Sequence, residues 1–168
     1  LIVSILNENY DIAKVLISED NIELNMSNYE NETALTISVE KEREDIINMI
    51  INNNKFEPTK SRLNYAFYIS TPKISKLLIS TKTLDVNYLN KISRGFYAES
   101  AFGSKLAKDS DVDFPFCTKL TDIVQNKIAK ENCEDISTII DLIDLIINHQ
   151  SFDKEKSLAR LALFYSTS

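Results

Sequence analysis

The chain has 168 residues, enough for one domain with its own core, and its 43% hydrophobic and 26% charged residues at net charge −6 exclude a disordered segment. Only two glycines occur, Gly95 and Gly103, where ordinary usage would give about 12; this excludes a Gly-rich phosphate loop, a Gly-x-Gly-x-x-Gly fingerprint and a series of Gly-turned hairpins, and it predicts helices. Two cysteines make no disulfide framework, so a reducing, cytoplasmic setting is expected.

The elements repeat from the first residue onward. Leu1, Leu35 and Leu63 start three stretches of matching pattern. In each, a small residue follows at the third place (Ser4, Ser38, Ala66), then an apolar one (Ile5, Val39, Phe67). Ile12, Ile46 and Ile74 come eleven residues after the leucines, followed by Val15-Leu16-Ile17, Met49-Ile50-Ile51 and Leu77-Leu78-Ile79. Apolar positions at i, i+3 and i+4 in each half predict two short helices per unit. Such a pair cannot bury its apolar face alone, so the units must stack. Units one and two are 34 residues apart and units two and three 28. The six missing residues fall in the connection after Ile51, which is expected to keep a tight turn and lose an extended finger.

After unit three the register breaks. Residues 88–117 read as an insertion that contains both glycines and Pro115, with a helix near 94–108 and a loop at 109–113. A helix is expected from Thr118 to about Lys130, a turn at Asn132-Cys133, and a second helix on the stripe Ile136, Ile139, Ile140, Ile143, Ile146 and Ile147. That stripe is broken by Asp141 and Asp144, and no apolar run reaches the roughly 18 residues of a membrane span. Lys60-Ser61, Ala66 and Ser70-Thr71 recur 96 residues later at Lys156-Ser157, Ala162 and Ser166-Thr167. One domain is therefore expected, with units at 1–32, 33–59 and 60–87, the insertion at 88–117, a unit at 118–152 and a partial unit at 153–168. The chain reads as a piece of a longer array.

Thr33-Ala34-Leu35-Thr36-Ile37-Ser38 and the loop Asn25-Met26-Ser27-Asn28-Tyr29-Glu30-Asn31-Glu32 resemble the ankyrin repeat family, as does Leu84-Asp85-Val86-Asn87. In that comparison Asn28 stands for the family's Asp, Asn31 for a glycine, and Glu8, Glu42 and Ser70 for the glycine between helices. Asn tolerates left-handed backbone, whereas Glu42 there costs about 1 kcal/mol. The resemblance implies an all-α solenoid of stacked antiparallel helix pairs with the irregular insertion. It implies protein–protein recognition without catalysis or cofactor. By position, the tip of the finger is Asn28, Tyr29, Glu30 and Asn31. The partner-facing first-helix places are Ile2, Thr36 and Asn64, with Lys60, Arg62 and Tyr88 adding contacts on the basic segment.

Motifs for chemistry are weak. Cys117, Cys133 and His149 are evenly spaced, but a helical hairpin separates its ends by about 20 Å, too far for one zinc ion. Asp109, Asp111 and Asp113 lack the Gly and Glu that a calcium loop requires. Ser151-Phe152-Asp153-Lys154 fits Ser-x-x-Lys without companions. The sequons at Asn25 and Asn31 fall at repeat positions and read as turn and cap residues. Charge is uneven: residues 1–59 carry net −8, residues 60–108 net +7 and residues 109–168 net −5. The basic, aromatic-rich middle suits an acidic protein partner or nucleic acid, or complements its acidic neighbours. No small-molecule substrate is expected. The alternatives are a structural or regulatory array segment attached to an enzyme outside this stretch, and nucleic-acid contact through 60–108.

Overall fold

The computed structural model describes residues 1–81, 83–88, 90–91, 116–117, 120 and 136–153. Helices α1 (Ile2–Leu6), α2 (Tyr10–Ser18), α3 (Ala34–Glu40), α4 (Glu44–Ile51), α5 (Leu63–Ile69), α6 (Pro72–Leu78) and α7 (Ile136–Ile147) dominate. The second helix of each of the first three units begins nine residues after its leucine, at Tyr10, Glu44 and Pro72. The shared spacing read from the sequence is thus a shared fold. Ile5, Val39 and Phe67, in one slot, are all buried, and so are Ser4, Ser38 and Ala66. Ser4 and Ser38 donate their hydroxyls back to the Leu1 and Ala34 carbonyls at 2.6 and 2.7 Å, so a small polar residue is satisfied inside the stack.

The turns between helices show where the glycines went. Glu8 and Glu42 lie at φ 59° and 52°. Around each, two backbone bonds close the helix end: Glu8 N–H to Ile5 O and Asn9 N–H to Ser4 O, then Glu42 N–H to Val39 O and Arg43 N–H to Ser38 O, at 2.8 to 3.0 Å. This is the paired capping pattern that usually places glycine at the left-handed residue. Unit three abandons it. Its first helix runs one residue further, Ser70 and Thr71 are both extended, and Pro72 occupies the first helical turn. Proline disfavours helical backbone in the residue before it and suits the start of a helix. A further left-handed residue, Arg62 at φ 58°, ends the turns of the short connection before α5, with Leu63 N–H on Pro58 O and Arg62 N–H on Thr59 O.

Packing follows the order of the chain. Within units, α1 lies on α2, α3 on α4 and α5 on α6. Between units, α3 lies between α1 and α5, α4 packs on α2, and α7 packs on α6. Helix α7 packs on α6 as α4 packs on α2. Its exit repeats that of α4 with an offset of 96 residues. Asn52 and Asn148 donate from their side chains to the Asn48 and Asp144 carbonyls, Phe56 and Phe152 N–H groups bond Asn53 and His149, and both phenylalanines pack against the core. The apolar stripe divides on this helix: Ile139, Leu142 and Ile146 are buried, while Ile140 and Ile147 are exposed. Leu142, in the slot of Ile46, is fully buried as Ile46 is.

One departure from an all-α chain is a two-stranded clasp. β1 (Asn90–Lys91) pairs antiparallel with β2 (Phe116–Cys117), Asn90 opposite Cys117 and Lys91 opposite Phe116. Residues 90–91 and 116–117 therefore lie side by side. Leu120 is helical and buried. The helix expected at 94–108, the loop at 109–113, the rest of the helix at 118–130, the Asn132-Cys133 turn and the unit beyond 153 lie outside the described residues. Among those described, no helix is long and apolar enough to cross a membrane.

Candidate functional site

The connection from α2 to α3 builds a finger. Leu24 anchors its start in the core, and Ser27 and Thr33 form an antiparallel bridge across its base. Asn28 closes the loop between them. Its Oδ1 accepts the N–H groups of Glu30 and Glu32 at 3.0 and 2.8 Å, and its Nδ2 donates to Glu32 Oε2 at 2.8 Å. Asn31 takes φ 62°, the left-handed backbone expected of it. The short side chain of Asn can occupy that region at small cost.

The finger is braced on the connection that follows α4. Asn25 Nδ2 donates to the Lys55 carbonyl at 2.7 Å, while its Oδ1 accepts the Glu57 N–H at 2.9 Å and the Ser61 hydroxyl at 2.6 Å. Thr33 caps α3 in a reciprocal box with Thr36, and its hydroxyl also donates to the Ser61 carbonyl at 2.9 Å. The Arg62 guanidinium donates to the Asn31 carbonyl and lies 4.2 Å over the Tyr65 ring. Held at both ends, the loop points Tyr29 into solvent at 110% of its reference exposure, with Glu30 exposed beside it. Next to Arg62 is a shallow groove of about 260 Å³ whose walls include Pro58, Asn64, Tyr65 and Tyr88.

The predicted residues sort by what they touch. Tyr29 and Glu30 are free tip residues, whereas Asn28 and Asn31 shape the loop beneath them. Arg62, Asn64 and Tyr88 meet at the groove, and Arg62 ties that groove to the finger. Asn64 is also structural, its Oδ1 accepting the Asp85 N–H at 2.9 Å. Lys60 is exposed and pairs with Glu57 at 2.9 Å. Thr36 corrects its assignment: it is 1% exposed, because its hydroxyl completes the cap of α3 and accepts the Thr33 N–H at 2.9 Å. It offers no surface to a partner. Ile2 is half-buried against the core. Sequence reasoning gave Asn25 a turn role, not that of a clamp on the next connection, and it did not single out Tyr65. Asn25 recurs at Asn87, which holds the turn after α7 in the same way, through the Ser151 carbonyl and the Asp153 N–H. Tyr65 was hidden in a slot shared with Val3 and Ile37.

Two lysines of unit three pair with acidic residues of neighbouring helices. Lys73 pairs with Glu44 at 2.5 Å and Lys76 with Asp141 at 2.8 Å. Lys14 and Arg43 converge on Asp45 at 2.7 and 3.0 Å, and Arg43 also lies 3.6 Å over the Tyr10 ring. Hydrogen bonds from Arg43 and then Lys14 hold the Asp45 carboxyl well below the usual carboxylate range. The hydrogen bond to Glu44 raises the Lys73 ammonium, and that to Glu8 raises Lys41.

His149 is a turn residue. Its Nδ1 accepts the Ser151 N–H at 3.2 Å, as Asn53 Oδ1 accepts the Lys55 N–H at 2.9 Å in the equivalent turn. Among the described residues no group of His, Cys, Asp and Glu is arranged to hold a metal. In comparisons with known proteins, no family model, no curated protein and no solved structure matches this chain.

Proposed function

We propose that the chain is a non-catalytic protein–protein interaction module, a divergent array of the ankyrin type that displays a rigid finger and the groove beside it to a protein partner. The observation that carries this reading is Tyr29, fully exposed on a loop whose backbone is fixed by Asn28 and whose base is fixed by Asn25, Thr33 and Arg62. An aromatic side chain with few rotatable bonds on a preformed loop binds with little ordering cost. Tyr and Arg are also the residue types that dominate interface energetics. The low cysteine count fits an intracellular setting for such a module.

The test is a pull-down with the intact chain as bait, alongside Tyr29→Ala/Glu30→Ala. Both residues are exposed, so far-UV circular dichroism of the variant is expected to match the parent. A partner retained by the parent and lost by the variant supports the reading. Retention of the same partner by both removes the finger from it.

A further inference from the structure

Unit one turns an apolar face to solvent. Val3, Ile12 and Val15 are 67%, 56% and 61% exposed, and Leu6 adds to the same unit. A unit at the end of a stack normally carries a polar outer face, and this one does not. The repeat identifies what these slots do elsewhere. Val3 and Ile12 align with Ile37 and Ile46 of unit two, which are 1% and 0% exposed. Those residues lie on α3 and α4, the helices packed against α1 and α2. In unit three the second slot holds Ile74, again 1% exposed. On α7 the same slot holds Leu142, 0% exposed.

The polar slots agree. Lys14 of unit one pairs with Asp45 of unit two, and Lys76 pairs with Asp141 on α7, at 2.7 and 2.8 Å. Both lysines lie thirteen residues after their unit's leucine, and Asp141 is Asp45 moved by the 96-residue offset. Asp11 occupies the same acceptor slot on unit one, ten residues after Leu1 as Asp45 is after Leu35. It makes no ion pair among the described residues. The amide clamp repeats as well. The groups on unit one that correspond to the Lys55 carbonyl and the Glu57 N–H are those of Asn21 and Glu23.

We propose that this face receives one more helix-pair repeat, joined ahead of Leu1 as unit one is joined ahead of Leu35. That repeat brings a Lys or Arg to Asp11 and an Asn side chain to the backbone of Asn21 and Glu23. A second copy that offers its α7 repeat to this face fits poorly. The lysine slot of that repeat holds Asp144 and the asparagine slot Glu155, which puts like charges on Asp11.

The test places a copy of residues 1–34 in front of the full chain. Ala34 then precedes Leu1 as it precedes Leu35, and the added Lys14 and Asn25 arrive in register. Urea unfolding is expected to stay a single transition, with a midpoint higher by about 1 M and a steeper dependence on urea because more surface is buried. Changing the added Lys14 to Glu, or Ile12 of the original unit to Gln, is expected to remove much of that gain. A separate early transition for the added unit, with the original midpoint unchanged, overturns the proposal. So does concentration-dependent dimerisation of the original chain in sedimentation velocity that Ile12→Gln abolishes, since a second copy is then the occupant.

Discussion

Four non-glycine residues, Glu8, Asn31, Glu42 and Arg62, hold left-handed backbone, and they are how a chain with two glycines makes the sharp ends that its helix pairs require. A side chain beyond Cα at such a position costs about 1 kcal/mol relative to glycine. Glu42→Gly is therefore expected to stabilise the chain by roughly that amount and to raise its melting temperature by about 2–4 °C; an unchanged or lower melting temperature would contradict the backbone assignment. Glu8 is a less clean site, because its carboxylate also pairs with Lys41 at 3.0 Å. Three of these positions were legible by alignment to a glycine slot. Arg62 was not, since its slot exists only because the connection after α4 is shortened, and a residue's backbone angle leaves no mark in a pattern of apolar spacing. Ser70 shows the same limit from the other side. It shares the slot of Glu8 and Glu42, yet Pro72 two residues later redirects the turn and removes the need for left-handed backbone.

The joints between units depend on single amide side chains. Asn25 satisfies a carbonyl, an N–H and a hydroxyl of the next connection at once, and Asn87 holds the turn after α7 by the same two backbone positions. Each net hydrogen bond contributes about 0.5–1.5 kcal/mol. Asn25→Ala and Asn87→Ala are each expected to lower unfolding free energy by about 2 kcal/mol. Because they act at different joints, the double variant is expected to lose the sum. Urea titration of the four species checks this; a double variant no worse than the single ones would mean that the two asparagines do not hold independent joints. At this scale the sequence was informative about helices and reticent about clamps. The 3.6-residue spacing marked α1 to α6, and the missing finger after Ile51 is a compact set of turns, as its length required. The 96-residue recurrence was visible at Lys60 and Lys156, and within the described residues it is expressed at 48–57 and 144–153. There the side chains differ (Asn53 against His149, Lys55 against Ser151) while the hydrogen bonds coincide. Backbone roles survive substitutions that erase sequence identity.

Among the described residues, some charges of the basic block pair with acidic residues of neighbouring helices. Lys73 and Lys76 reach back to Glu44 and forward to Asp141, so the positive block is in part a stacking device rather than a free cationic surface. Exposed pairs of this kind each contribute little, but their sum makes stability depend on pH with a definite sign. Asp45 has its folded-state pKa lowered, so its contribution is complete above the ordinary carboxylate value and disappears as pH falls through that range and below. The melting temperature is expected to fall between about pH 4 and pH 2, and Asp45→Asn is expected to flatten that fall; an equal slope in both proteins would contradict it. Lys41 and Lys73 have raised values, so their contributions hold below the ordinary lysine value and are lost as pH rises through the folded one. In the proposed reading the stack holds the finger still, and the binding claim is tested most directly at its tip. A photo-crosslinking amino acid placed at position 29 is expected to yield a discrete protein adduct in cell extract, while the same group at exposed Asn48 on α4 yields none. No adduct from position 29, or the same adducts from both positions, would contradict the account.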